Sequence, residues 1–245
     1  MQARRLLEAE LRKCVDTIAS RWVIAAMIVL SCAALTINKI ADVDDFGTFV
    51  RGATLPLPAL LPILAVLATT GDWTQRSAMT TFVLVPQRSL VLGTRLVAAV
   101  IMVLGVTAAI SVISLATFLV LFPGGASSVL TVQTASSLLS MTGLSTAAAL
   151  TGTAAGFLLL STPLAITTTL LLPFVYDVGI GLALPHVAPW VSILAFSAWM
   201  TQPEWAWTTT HGTEVGIGPA LTSFLLFVIA PIVLGWWRQL RREVK

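Results

Sequence analysis

The sequence predicts an all-α polytopic membrane protein, and three observations carry that expectation. Of its 245 residues, 57% are hydrophobic and only 10% are charged, with a mean hydropathy of +0.93. A soluble domain is ~45–50% apolar and ~25% charged, so this chain lacks the polar side chains needed to cover a water-facing particle. Soluble, disordered and disulfide-scaffold classes are thereby excluded. Apolar runs matching a crossing of ~20 residues recur along the chain. The basic residues are confined: 12 of the 14 Lys and Arg fall within 1–21, 72–95 and 238–245. The other two, Lys39 and Arg51, share a stretch with Asp42, Asp44 and Asp45. Basic residues mark the cytoplasmic side of a membrane protein. The small net charge of +3 therefore points to membrane sidedness rather than to nucleic acid.

Residues 1–21 hold Arg4, Arg5, Glu8, Glu10, Arg12, Lys13, Asp16 and Arg21. Leu7, Leu11, Cys14, Ile18 and Trp22 recur at steps of three and four. That spacing gives one apolar face of an amphipathic helix lying on the membrane surface and contacting lipid. A first span is expected at about 22–37. A secretory signal does not fit, because the preceding stretch carries three acids and no A-x-A site follows. Val29-Leu30-Ser31-Cys32 imitates a lipoprotein box but lies mid-span. The second span, about 55–70, opens with Pro56, Pro58 and Pro62 and is expected to stop at Gly71-Asp72.

The third span, about 90–122, is long for one crossing. Arg95 falls in its first turns and is expected to snorkel to the interface, and Pro123-Gly124-Gly125 ends it. A charge-free loop to about 136 precedes the fourth span, about 137–160. Gly152 and Gly156 there make a small-xxx-small pair that admits a close helix, within the same subunit or across a dimer, the former being the expectation. The fifth span runs over about 163–184 and the sixth over about 215–237. Between them, 185–214 carries Pro185, Pro189, Pro203 and four tryptophans. Its apolar runs are too short to cross, which predicts a re-entrant or interfacial outer region. The expectation is one membrane domain over 1–245 with six spans and both termini cytoplasmic.

The segment most open to a partner is 72–88, a cytoplasmic link longer than a turn needs. Asp72 is placed to cap a short helix and Pro86 to end it. An ordinary amphipathic connector is the plain alternative. Here the sequence reads Gly71-Asp72-Trp73, Arg76-Ser77, Thr80-Thr81, then Val85-Pro86-Gln87-Arg88. The N-terminal helix reads Glu10-Leu11-Arg12-Lys13, followed by Ser20-Arg21-Trp22.

These motifs resemble the coupling region and interfacial helix of type-2 ATP-binding cassette (ABC) exporter permeases, with Asp72 where that family usually has Glu and no Gly at 77. The resemblance implies a dimer with a second copy or a paralogue around a translocation path. It further implies that a separate nucleotide-binding ATPase subunit grips Gly71, Asp72, Trp73, Arg76, Ser77, Thr80, Thr81, Pro86 and Arg88, together with Glu10, Arg12 and Lys13. ATP and Mg are then expected on that ATPase, with no cofactor or catalytic residue on this chain, which carries no G-x-x-x-x-G-K-[S/T] loop. The implied cargo is hydrophobic or amphipathic: a drug, antibiotic, peptide or lipid.

Asp177 is the one acid expected inside a span, where burying charge costs at least ~2.5–3.5 kcal/mol. It reads either as a substrate-path contact, beside Tyr176, or as a locally paired residue. Three weaker constellations give way to plainer readings. Gly143-Leu144-Ser145-Thr146 imitates a serine protease but has no histidine in a span. His186, His211, Glu204 and Glu214 match no metal-ligand spacing and read as a solvated loop. The tryptophans at 190–207 read as interfacial anchors. A membrane-embedded enzyme and a non-transporting scaffold are the alternative functions.

Overall fold

The computed structural model describes residues 2–74, 87–201 and 215–241, and no strand occurs among them. The protein is an all-helical polytopic membrane protein. Among the described residues, five helices are long and apolar enough to cross a membrane, or six when one bent pair counts as a single span.

Helix α1 (Gln2–Asp16) is the amphipathic element. Helix α2 (Ile18–Ile40) follows after one residue, because Thr17 adopts extended backbone and its side chain accepts from the Ser20 amide. Helix α3 (Phe46–Ala53) was not legible in the acidic stretch before it. Asp45 starts it by accepting from the Thr48 amide at 2.7 Å. Helix α4 (Leu57–Thr74) follows at a 48° bend, where Pro56 and Pro58 interrupt the backbone ladder. The helical pair α3–α4 thus begins earlier than the expected second span, and its bend fits either a broken span or a re-entrant loop. Gly71-Asp72 does not stop α4, which runs through both residues to Thr74.

Helix α5 (Arg88–Leu121) is continuous over 34 residues and ends in a 3-10 turn at Pro123–Gly125. The loop expected after it contains helix α6 (Ala126–Val129) and the first turn of helix α7 (Val132–Leu159). Thr131 sets that earlier start by accepting from the Thr134 amide at 3.2 Å. Helix α8 (Thr162–Ala183) has proline in its first turn, where no amide is needed. Short helices α9 (Ala188–Val191) and α10 (Ala195–Thr201) form the described part of 185–214, too short to cross. Helix α11 (Ile217–Arg241) contains a π turn at Leu225–Ile229. That turn lies just before Pro231, which has no amide to offer its own preceding turn.

The core is the α4–α7 contact, and glycine makes it possible. A methyl on Gly152 would strike the Pro62 carbonyl and lie 2.8 Å from Ala65 Cβ. One on Gly156 would strike the Thr69 hydroxyl. The small-xxx-small pair therefore packs inside the subunit, as expected. Gly235 of α11 meets α7 in the same way, 2.7 Å from Phe157 Cβ. Polar side chains then close the helix ends: Gln239 Nε2 donates to the Phe157 carbonyl at 3.1 Å and Arg238 Nη1 to the Leu158 carbonyl at 2.6 Å. Thr70 and Thr162 hydroxyls pair at 2.7 Å, tying α4 to the start of α8.

These contacts bring α1, the last turn of α4, the first turns of α5 and the C-terminal end of α11 to one end of the bundle. The opposite end carries a cluster of Phe46, Phe49, Phe118 and Phe122, with the Lys39 ammonium 4.1 Å over the Phe122 ring. Outward faces are apolar. On α8, Leu171, Phe174, Val175, Val178 and Leu182 are all exposed, and only Ala165 is buried.

Candidate functional site: a buried charge cluster

Four charged side chains from three helices meet at the basic end. Glu10 and Lys13 stand one turn apart on α1, so they share a face. Asp72 lies in the last turn of α4, and Arg95 lies two turns into α5. Arg95 Nη2 donates to Asp72 Oδ2, and Arg95 Nε lies 3.7 Å from Glu10 Oε1. Lys13 Nζ is 3.2 Å from Glu10 Oε1 and 3.5 Å from both Asp72 oxygens. Arg95 and Glu10 are 1% and 2% exposed, while the Lys13 side chain is 46% exposed and closes the cluster toward water.

The expectation that Arg95 snorkels is therefore corrected. Helix α1 lies across it, and two carboxylates supply what water would have supplied. The formal charge sums to zero, which a buried set requires. Hydrogen bonding is incomplete, because Arg95 Nε and Nη1 have no hydrogen-bond partner among the described residues. Burial is felt beside the cluster too. The Cys14 thiol is pushed up to about 11, chiefly by desolvation and then by the Glu10 carboxylate, with Lys13 opposing.

Glu10, Lys13 and Asp72, singled out in the sequence, thus converge, and Arg95 joins them. Arg12 is exposed on α1. Gly71 has open space where a Cβ would go, Trp73 is half-buried, and Arg88 opens α5. Arg76, Ser77, Thr80, Thr81 and Pro86 lie outside the described residues. What the sequence could not give is the pairing. Two acids and a base near the basic end were visible, but only the α1–α5 packing selects Arg95.

Asp177 has a definite local role. Its carboxylate accepts from Ser192 Oγ at 2.8 Å, the Ile193 amide at 2.8 Å and the Leu194 amide at 3.1 Å. Those donors sit between α9 and α10, so Asp177 clasps that link to α8. Tyr176 packs edge-on to Phe227, with ring centroids 5.4 Å apart. Ser145 accepts from the Thr107 hydroxyl at 2.8 Å in a helix–helix contact. His186 is exposed, and His211, Glu204 and Glu214 lie outside the described residues. No group of three His, Cys, Asp or Glu that could hold a metal occurs among the described residues.

No family model, curated protein or solved structure matches the chain. Fold and site define a class: a polytopic helical membrane protein whose amphipathic first helix is tied by buried charges to the ends of two membrane helices.

Proposed function

We propose that this chain is the permease subunit of an ABC exporter, moving a hydrophobic or amphipathic substrate across the cytoplasmic membrane. In this reading it has six spans with both termini cytoplasmic, and α3 with α4 counts as the second. A separate ATPase subunit binds ATP and Mg and docks on 72–88 and α1. A second copy or a paralogue completes the translocation path, with lipid or that partner covering the apolar face of α8. Tyr176 and Asp177 lie toward the outer end of that path, Asp177 acting through its hold on 192–194.

The observation that carries this reading is the Glu10–Lys13–Asp72–Arg95 cluster. The segment 75–86 leaves from the last turn of α4 and returns into α5, and Asp72 and Arg95 join those two helices to each other and to α1. A push on 75–86 therefore reaches three helices together, as a rigid-body switch between two states needs. Apolar residues of similar volume often stabilise a protein at least as well as a buried ion pair, so the charges serve register between α1 and the α4–α5 pair. Co-purification tests the proposal. The full-length chain, extracted in mild detergent, should carry a separate ATPase encoded beside it. Recovery of folded chain with none of the neighbouring ATPases bound would overturn it.

A further inference from the structure

At the end of the bundle opposite the charge cluster, a cavity of about 230 Å³ opens between the α3–α4 bend, α7 and α10. Its one charged lining residue, Arg51, stands at one end. Arg51, in the last turn of α3, donates through Nε to Ser137 Oγ at 2.9 Å. No carboxylate among the described residues pairs with it, although Asp45 caps its own helix nearby. One turn further along α7, Ser140 lines the cavity at 8% exposure. Beyond it Leu61 and Leu144 supply apolar wall, with the Ser145 hydroxyl, which accepts from Thr107, beside them. From Ser137 to Leu144 is seven residues, or about 10 Å along the helix.

We infer that this cavity binds an amphiphile with an anionic oxyanion head, the head at Arg51 and Ser140 and the tail against Leu61 and Leu144. The charge selects the head, because Arg51 is a half-buried cation that forms no salt bridge among the described residues. Its volume is below the ~300–1,000 Å³ of pockets that enclose drug-sized ligands, so it admits one slim chain rather than a bulky ring system. The same chemistry is offered by a free fatty acid and by an anionic phospholipid of the bilayer. The site stands apart from the transport proposal, since a chain without an ATPase would still bind.

The test uses full-length protein purified in a neutral detergent and read by native mass spectrometry. The probes are oleate, phosphatidylglycerol, oleyl alcohol and phosphatidylcholine. Oleate should be retained at least tenfold more tightly than oleyl alcohol, and Arg51→Gln should remove that preference. Arg51→Lys should keep part of it. Leu144→Phe fills the apolar part without touching charge and should weaken oleate about tenfold. Retention of phosphatidylglycerol over phosphatidylcholine identifies a bilayer lipid as the source, and retention of oleate alone identifies a free acid. Equal binding of oleate and oleyl alcohol overturns the inference. So does oleate binding unchanged by Leu144→Phe, a result that holds even if Arg51→Gln fails to fold.

Discussion

Removing Arg95 tests the charge cluster most sharply. Arg95→Met keeps a long apolar stem in the space but takes the guanidinium away from Glu10 and Asp72, while Lys13, 46% exposed on its side chain, stays beside both. The net buried charge goes from zero to minus one. Breaking a buried pair from one side costs ~3–5 kcal/mol, because the remaining partner is left uncompensated. Asp72→Asn should cost a similar amount by stranding the guanidinium. The double variant Arg95→Met with Asp72→Asn leaves Glu10 and Lys13 as a neutral pair at 3.2 Å. Its cost should fall short of the sum of the singles by about 1–3 kcal/mol, in the range expected of directly coupled residues. The assay is loss of the monodisperse fraction on heating in detergent. At ~2–4 °C per kcal/mol, each single should lower the midpoint by roughly 6–20 °C. Additive losses in the double variant would refute the claim that these groups act as one set.

Further predictions follow from the same geometry. Cys14, with its thiol pushed up to about 11 and buried at 3% exposure, should resist alkylation from pH 7 to 9 in intact protein. Because the folded state holds that proton longer than the unfolded chain, stability should decline as pH rises from about 9 toward about 11. A thermal-shift titration checks the sign, and a Cys14→Ala variant should abolish the decline. Gly156→Leu should destabilise by about 1–3 kcal/mol or more through its collision with Thr69, measured by the same heating assay. Gly105→Ala, with open space around its Cβ, should be neutral or slightly stabilising. Asp177→Asn keeps one acceptor oxygen of two and should cost about 1–3 kcal/mol. Faster proteolysis after 191 should report the loosened outer region.

The architecture was largely legible because apolar run length reports a membrane crossing directly. The boundaries that moved did so for local reasons. Three aspartates made 42–53 read as an acidic loop, yet Asp45 with Thr48 is a helix cap. The charge-free stretch before 137 read as loop, although Thr131 caps α7. Gly71 read as a stop, yet a glycine costs a helix only ~1 kcal/mol, which the packing of α4 on α7 outweighs. In the charge cluster, Glu10, Lys13 and Asp72 stood out as scarce charges near the apolar boundary. Arg95 was misplaced because a basic residue near a span end ordinarily reaches water, and nothing in its neighbourhood along the chain shows that α1 covers it. The Arg51 cavity was invisible for a similar reason: its lining residues come from three helices distant in the chain.

Site-directed cross-linking tests the central claim, that 72–88 is the grip for an ATP-driven partner. With Cys14→Ala and Cys32→Ala as background, Ser77→Cys should cross-link in cells to the separate ATPase subunit that the proposal requires. Cross-linking should also depend on Asp72 and Arg95, which anchor the two helices flanking that segment. Full expression of a folded chain that cross-links to no ATPase from any position in 72–88 would contradict the account.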